Sequence, residues 1–228
     1  MENRTLHLIS LSLVSCLLLL FIEQGIEASY IVKTVSKIGL FVFIPVIYIK
    51  YIFRENLSTF LNVKKIDFPR LKVGFLAGIG SFVILIVSFI LLEEWIDTTG
   101  IILDLNQRLG ITYETFIWVA LYITFGNSFI EEFYFRGVLF LKIYQEGDKL
   151  LAYIFSAGLF AFYHVAIFAL WFNVWLIGLA LLGLFAIGLI FNWLNTKSNN
   201  FLNSWITHVL ADVAIVAIGY YLFATIQI

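Results

Sequence analysis

The sequence predicts an all-α fold, a polytopic bundle of about seven membrane-spanning helices that forms a single integral membrane domain over residues 1–228. Two observations predict it. Hydrophobic residues make up 62% of the chain and charged residues only 13%, whereas soluble domains carry roughly 45–50% and about 25%. The chain also contains apolar runs long enough to cross a hydrocarbon core, which takes about 20 helical residues. Since lipid offers no partner for open backbone groups, these runs are predicted to be helices.

The predicted spans cover residues 6–22, 31–52, 73–92, 113–143, 151–171, 174–195 and 203–224. The first span is short enough to resemble the core of a signal peptide, with Ala28 near a cleavage-like position. Glu23 and Glu27 intervene and argue against a small-residue cleavage site, so we expect a helix. The fourth span is too long to lie wholly in lipid, and we expect Gly126 or Gly137 to bend it.

The charges of the loops predict an orientation. The segment from Lys50 to Lys72 carries six basic residues: Lys50, Arg54, Lys64, Lys65, Arg70 and Lys72. Four acidic residues follow the third span: Glu93, Glu94, Asp97 and Asp104. The chain is expected to cross the cell membrane several times. Because basic loops stay cytoplasmic, its N-terminus is expected to be cytoplasmic and its C-terminus external. Loops 144–150 and 196–202 are then also expected to be cytoplasmic.

Composition also limits the chemistry. A net charge of −1 gives no sign of nucleic-acid binding, and a single cysteine, Cys16, excludes an internal disulfide and a zinc site built on thiolates. No cofactor is predicted. The expected partners are membrane lipid and a peptide or protein substrate.

Polar residues within the spans are the strongest functional signal, because an ionisable side chain in a membrane helix is costly and faces protein or a cavity. The fourth span holds one polar face: Thr124, Asn127, Ser128, Glu131, Glu132 and Arg136. The i, i+4 spacing of Glu132 and Arg136 allows an ion pair, which could be purely structural. Glu131 has no obvious partner on its own helix, although Asn127 or another helix could satisfy it.

Histidines supply the second and third elements of the pattern. The fifth span contains Phe160-Ala-Phe-Tyr-His164, and the seventh contains His208-Val-Leu-Ala-Asp212. His164 alone could be a hydrogen-bonded core residue. His208 and Asp212 share a helix face, and the carboxylate could fix the tautomer of the ring or merely hold helices together. At 1.5 Å per residue these side chains and Glu131 lie at compatible depths, so they are expected to meet inside the bundle.

The three motifs, in this order and on membrane helices, resemble the CPBP family of intramembrane endopeptidases, also called Abi or CAAX-protease-like. The resemblance covers about residues 113–215, so the motif-bearing core is expected within 113–224. It implies peptide-bond hydrolysis in the membrane, with Glu131 and His164 activating a water and His208 with its partner stabilising the oxyanion. Glu132, Arg136 and Phe160 would support the site.

Asp212 departs from the family pattern, because the prenyl-processing branch has Asn at that position. An ionised Asp cannot donate a hydrogen bond to an oxyanion, so Asp212 would either orient His208 or be protonated. Membership of the prenyl-processing branch is therefore not implied by the motifs.

Three other functions fit parts of the same pattern. Glu131, His164 and His208 could ligate zinc together with a water, although a His-Glu-x-x-His motif is absent from the sequence. A transporter could use the buried charges as a proton relay, but the internal repeats typical of transporters are missing. A non-catalytic immunity or binding protein could retain the fold without the activity.

Overall fold

The computed structural model describes residues 3–26, 28–63 and 68–226, and all regular secondary structure among them is helical. The predicted all-α fold is thereby confirmed. The α-helices are α1 (Asn3–Leu20), α2 (Tyr30–Ile38), α3 (Ile44–Ile47), α4 (Leu57–Phe60), α5 (Phe68–Leu92), α6 (Thr98–Gln107), α7 (Tyr113–Leu121), α8 (Ser128–Glu131), α9 (Leu141–Gln145), α10 (Lys149–Tyr163), α11 (Val165–Phe168), α12 (Val174–Ser198) and α13 (Leu202–Thr225).

Wider π-helical turns continue several of these helices without a break. They cover Phe21–Gly25, Gly39–Phe43, Tyr48–Ile52, Tyr122–Asn127 and Glu132–Phe140, and a 3₁₀ turn covers Glu93–Trp95. Gly126 and Gly137, the two glycines expected to bend the fourth predicted span, each lie in such a π-helical turn. Single π-helical turns within α-helices often occur at functional sites.

Within the described residues, six helices are long and apolar enough to cross a membrane: Arg4–Gly25, Tyr30–Ile52, Leu71–Trp95, Lys149–Phe168, Val174–Ser198 and Leu202–Thr225. They correspond to six of the seven predicted spans. The remaining one, predicted at 113–143, is helical from Tyr113 to Gln145. It is absent from the six because its buried polar stripe lowers its hydropathy. The protein is a multi-pass helical membrane protein.

Contacts between loops sort the ends of the helices onto two faces of the bundle. On one face Arg4 forms an ion pair with Glu55 (2.7 Å), and Asn199 accepts hydrogen bonds from Asn62 and Gln145. These contacts bring together the N-terminus and the loops after residues 52, 145 and 198. The loop charges predicted that these segments lie on the same side of the membrane.

On the opposite face, the hydroxyls of Tyr113 and Tyr220 are 2.7 Å apart, and the Trp171 indole donates to Asp104. The helical segment that begins at Tyr113 and ends at Gln145 therefore runs from one face of the bundle to the other. It crosses the bundle in spite of its polar residues.

Which face is cytoplasmic stays a prediction from the basic loop, whose Lys64 and Lys65 lie outside the described residues. We expect a cysteine at position 64 to be labelled from the cytoplasmic side and one at position 97 from outside. Single cysteines in a Cys16-free background, treated with a membrane-impermeant maleimide, test this. Labelling of position 64 only from outside would reverse the orientation.

The first predicted span is part of the packed bundle. Leu8, Cys16 and Leu19 of α1 are at most 5% exposed and belong to the main hydrophobic core. That core surrounds the second half of the 113–145 segment, in which Phe135 and Phe140 are fully buried. Outward-facing apolar side chains of the other spans remain exposed, as expected of helices whose solvent is lipid.

The close contact between α5 and α13 fixes the helix that carries His208. Gly74 of α5 lies against Asn203 of α13: its amide donates to the Asn203 side chain, and its carbonyl accepts from Thr207. A Cβ at Gly74 would come within 2.5 Å of the Asn203 backbone carbonyl oxygen. Small residues permit such close approach between membrane helices.

Gly74→Ala is therefore expected to separate α5 from α13 and lower the thermal stability in detergent, because the neighbouring atom is backbone and cannot turn aside. Gly80→Ala, on the same helix with open space around its Cβ position, is the matched control and should melt like the wild type. Equal melting temperatures for the two variants would show that the close contact is not limiting.

Candidate active site

The carboxylate of Glu131 lies at the centre of the buried polar cluster and is fully buried. Its Oε1 accepts a hydrogen bond from the Lys37 ammonium at 2.5 Å and another from the Asn127 side-chain amide at 3.0 Å. Lys37 also donates to the Asn127 side-chain oxygen. One oxygen of the carboxylate is thus held by two donors, one from α2 and one from its own helical segment.

The second oxygen of Glu131 faces the two histidines. Its Oε2 lies 3.5 Å from His164 Nε2 and 3.8 Å from His208 Nε2. Among the described residues this oxygen has no hydrogen-bond partner, although it is buried. A bound water could satisfy this buried oxygen, and the two ring nitrogens beside it are further polar partners for such a water.

His164 lies where α10 gives way to α11 and is oriented by its own backbone. Its Nδ1 is 2.7 Å from the carbonyl oxygen of Phe160, one helical turn earlier. A carbonyl can only accept, so Nδ1 carries the hydrogen and the neutral ring presents the lone pair of Nε2 toward Glu131. The spacing of Phe160 and His164 in the sequence thus sets the tautomer through the main chain.

The ring of His208 is held by Glu132 rather than by Asp212. Its Nδ1 is 2.9 Å from Glu132 Oε1, and the same oxygen accepts from Arg136 Nη1 at 3.0 Å. Asp212 lies on the same face as His208, but its Oδ1 is 3.7 Å from Nε2, beyond hydrogen-bond distance. Glu132 is thus the hydrogen-bond partner of Nδ1, and the role of Asp212, which lies nearer Nε2, stays a prediction.

Arg136 is fully buried between two aromatic rings. Its guanidinium carbon is 3.9 Å from the centre of the Phe160 ring and 4.9 Å from that of Phe191. A cation above an aromatic face is attracted by the ring quadrupole. Phe160 therefore supports the site twice, through its carbonyl to His164 and through its ring to Arg136.

Comparison with protein families identifies the segment that carries this cluster. Residues 113–214 match the family model described as Type II CAAX prenyl endopeptidase Rce1-like. We call this segment the Rce1-like domain, after the family model that it matches. The match confirms the resemblance to CAAX-protease-like proteins, whose general activity is that of an endopeptidase. No curated protein and no solved structure matches the chain.

The Rce1-like domain contains every site residue predicted from the motifs: Glu131, Glu132, Arg136, Phe160, His164, His208 and Asp212. Lys37 lies outside it, in the N-terminal part of the chain, and was not predicted. A signal for it exists in the sequence, because Lys33 and Lys37 are spaced i, i+4 inside an apolar span, where charges are rare. Phe191 was also missed, and nothing distinguishes it from the other aromatic residues of its span.

The zinc alternative stays a prediction, and two observations bear on it. Across the described ranges, no group of three His, Cys, Asp or Glu side chains is arranged to hold a metal ion. The Glu131 carboxylate, which would be one of the ligands, is already neutralised by the Lys37 ammonium.

Proposed function

We propose that the protein is an intramembrane endopeptidase that hydrolyses a peptide bond with a water activated by Glu131 and His164. The observation that carries this proposal is the free Oε2 of Glu131, buried and facing Nε2 of His164 at 3.5 Å and Nε2 of His208 at 3.8 Å. General-base catalysis needs a basic atom within reach of the proton it removes.

In the proposed reaction, a water binds at Oε2 of Glu131 and also donates to the lone pair of His164 Nε2. Glu131 takes one proton as the water oxygen bonds to the carbonyl carbon of the substrate. The tetrahedral intermediate then breaks its C–N bond, and Glu131 returns the proton to the leaving amine. The products are a new carboxyl group and a new amine, and the protein ends in its starting protonation state.

The developing oxyanion needs a donor, and His208 is the residue proposed for that role. Its Nδ1 hydrogen is directed to Glu132, so donation to the substrate requires a second hydrogen on Nε2 and hence an imidazolium. Glu132 at 2.9 Å and Asp212 at 3.7 Å supply compensating negative charge. Asp212 is thereby proposed to balance the ring rather than to contact the oxyanion.

The proposed substrate is a peptide that enters from the lipid, either membrane-embedded or lipidated. The family description supports a prenylated C-terminal peptide as the first probe. A farnesylated Cys-aliphatic-aliphatic-X peptide is therefore the substrate to assay with the purified protein. Comparison of the membrane proteomes of cells that carry the wild type and Glu131→Gln then searches for natural substrates without assuming prenylation.

A non-catalytic immunity or binding scaffold is the second candidate. Asp212, where the prenyl-processing branch has Asn, is the observation that favours it. Such a protein would keep its biological effect in Glu131→Gln, whereas a protease would lose it.

A chelator distinguishes the metal-free reaction from the zinc-dependent one. We expect cleavage to be unchanged after incubation with 1,10-phenanthroline, because Lys37 already provides the positive charge beside Glu131. The measurement is the cleavage rate before and after chelation. Loss of activity that zinc restores would replace the metal-free mechanism by a metalloenzyme.

A further inference from the structure

Lys37 is a buried cation beside Glu131 that takes no part in the proton transfers of the proposed mechanism. It lies on α2, outside the Rce1-like domain, and is 7% exposed. A lysine inside a membrane protein is costly unless its charge and its hydrogen-bond donors are satisfied. Its surroundings therefore indicate what it does.

The ammonium of Lys37 is directed entirely at the site. Two of its donors go to Glu131 Oε1 and to the Asn127 side-chain oxygen. The Tyr163 ring, next to His164, lies 4.9 Å from Nζ and offers a cation–π contact. An ammonium held by two hydrogen bonds and one cation–π contact has a defined position.

This arrangement leaves Glu131 one orientation. Lys37 and Asn127 both donate to Oε1, so rotation of the carboxylate would break two hydrogen bonds. Oε2 then remains free and directed at the two histidines. The free oxygen on which the proposed mechanism depends is thus a consequence of the Lys37 contact on the other oxygen.

Lys37 also completes the charge balance of the cluster. The cluster contains three carboxylates, those of Glu131, Glu132 and Asp212. Arg136, on the same helical segment as Glu132, is a permanent cation. If His208 is an imidazolium, as proposed above, the cluster needs one more positive charge. Lys37, whose ammonium contacts Glu131, supplies it.

We propose that Lys37 is a positioning residue of the active site, which fixes Glu131 with Oε2 toward the histidines and balances the excess negative charge of the three carboxylates in the cluster. The expected effect of Lys37 on the cleavage rate rests on the proposed protease function. Its electrostatic consequence can be measured whether or not the protein cleaves a peptide.

The electrostatic test uses thermal unfolding in detergent of the full chain. Lys37→Met leaves an excess carboxylate in the cluster and is expected to lower the unfolding temperature by about 5 °C or more. Asp212→Asn added to Lys37→Met restores the balance, so the double variant should melt at a higher temperature than Lys37→Met. A double variant less stable than Lys37→Met would overturn the charge-balance role.

The kinetic test compares Lys37→Met with Lys33→Met, which also loses a lysine of α2. Lys33 is ion-paired with Glu23 at 3.1 Å and does not contact Glu131. On the farnesylated peptide, or on the peptide found by the proteome comparison, Lys37→Met should lower kcat by about 10-fold or more with KM nearly unchanged. Lys37→Arg should recover part of kcat, and Lys33→Met should keep it.

Two outcomes separate this inference from the function on which it rests. Wild-type kcat in Lys37→Met, with Glu131→Gln inactive, would overturn the positioning role and leave the protease standing. If the wild type and Glu131→Gln cleave equally little, the protease proposal fails. The unfolding temperatures of the single and double variants then decide the role of Lys37 alone.

Discussion

Glu131→Gln is expected to lower the cleavage rate by a factor of at least about 10², the lower range for loss of a general base. The substitution keeps the size of the side chain and an oxygen that can still accept from Lys37 and Asn127, but it removes the basic oxygen that faces the histidines. The fold should be retained, although the Lys37 ammonium loses its buried counter-charge and the unfolding temperature should fall. The measurement is the single-turnover rate on the farnesylated peptide, with folded protein quantified by size-exclusion chromatography.

Glu114→Gln is the matched control, because Glu114 is an exposed carboxylate at the start of the same helical segment. It should cleave at the wild-type rate. Full activity in Glu131→Gln would contradict the protease mechanism and favour the non-catalytic scaffold.

His164→Ala and His208→Ala should lose comparable activity, while His7→Ala should lose none. His7 is an exposed histidine on α1, with Tyr48 as its ring neighbour. Combining either site substitution with Glu131→Gln should cause little further loss, because residues that act as one unit do not contribute independently. Additive losses would indicate that the histidines act in a separate step.

Breaking the pair of Glu132 and Arg136 is expected to have the largest effect on stability. Both side chains are fully buried, and the Nη1 to Oε1 distance is 3.0 Å. Removing one partner of a buried pair leaves an uncompensated charge and costs about 3–5 kcal/mol. Glu132→Gln and Arg136→Gln should therefore both lower the folded yield and the temperature of aggregation in detergent.

Glu132→Gln also changes the partner of His208, because the carboxylate oxygen that pairs with Arg136 also contacts Nδ1 of His208. Arg4→Gln is the control: it removes an arginine from the exposed pair with Glu55, and an exposed pair contributes at most about 1 kcal/mol. If both buried-pair variants melted like the wild type, Glu132 and Arg136 would not form a buried structural pair.

Local spacing in the sequence was enough to predict contacts within one helix. Glu132 and Arg136, spaced i, i+4, form the ion pair, and His208 and Asp212 share a face. Hydropathy predicted the helical spans, although the 113–145 segment shows that a helix crossing the bundle need not be apolar throughout. These features follow from helical periodicity and from the cost of open backbone groups in lipid, both of which are properties of short segments.

Contacts between helices were decided only by the tertiary structure. Lys37 and Glu131 are separated by 94 positions, and no local pattern indicates that they pair. The partner of His208 Nδ1 is likewise Glu132, 76 positions away, rather than Asp212 on its own helix. The sequence alone determined which residues are costly to bury. The packing of the spans determined how each is satisfied, because a buried charge is stabilised by whichever helix brings the opposite charge close to it.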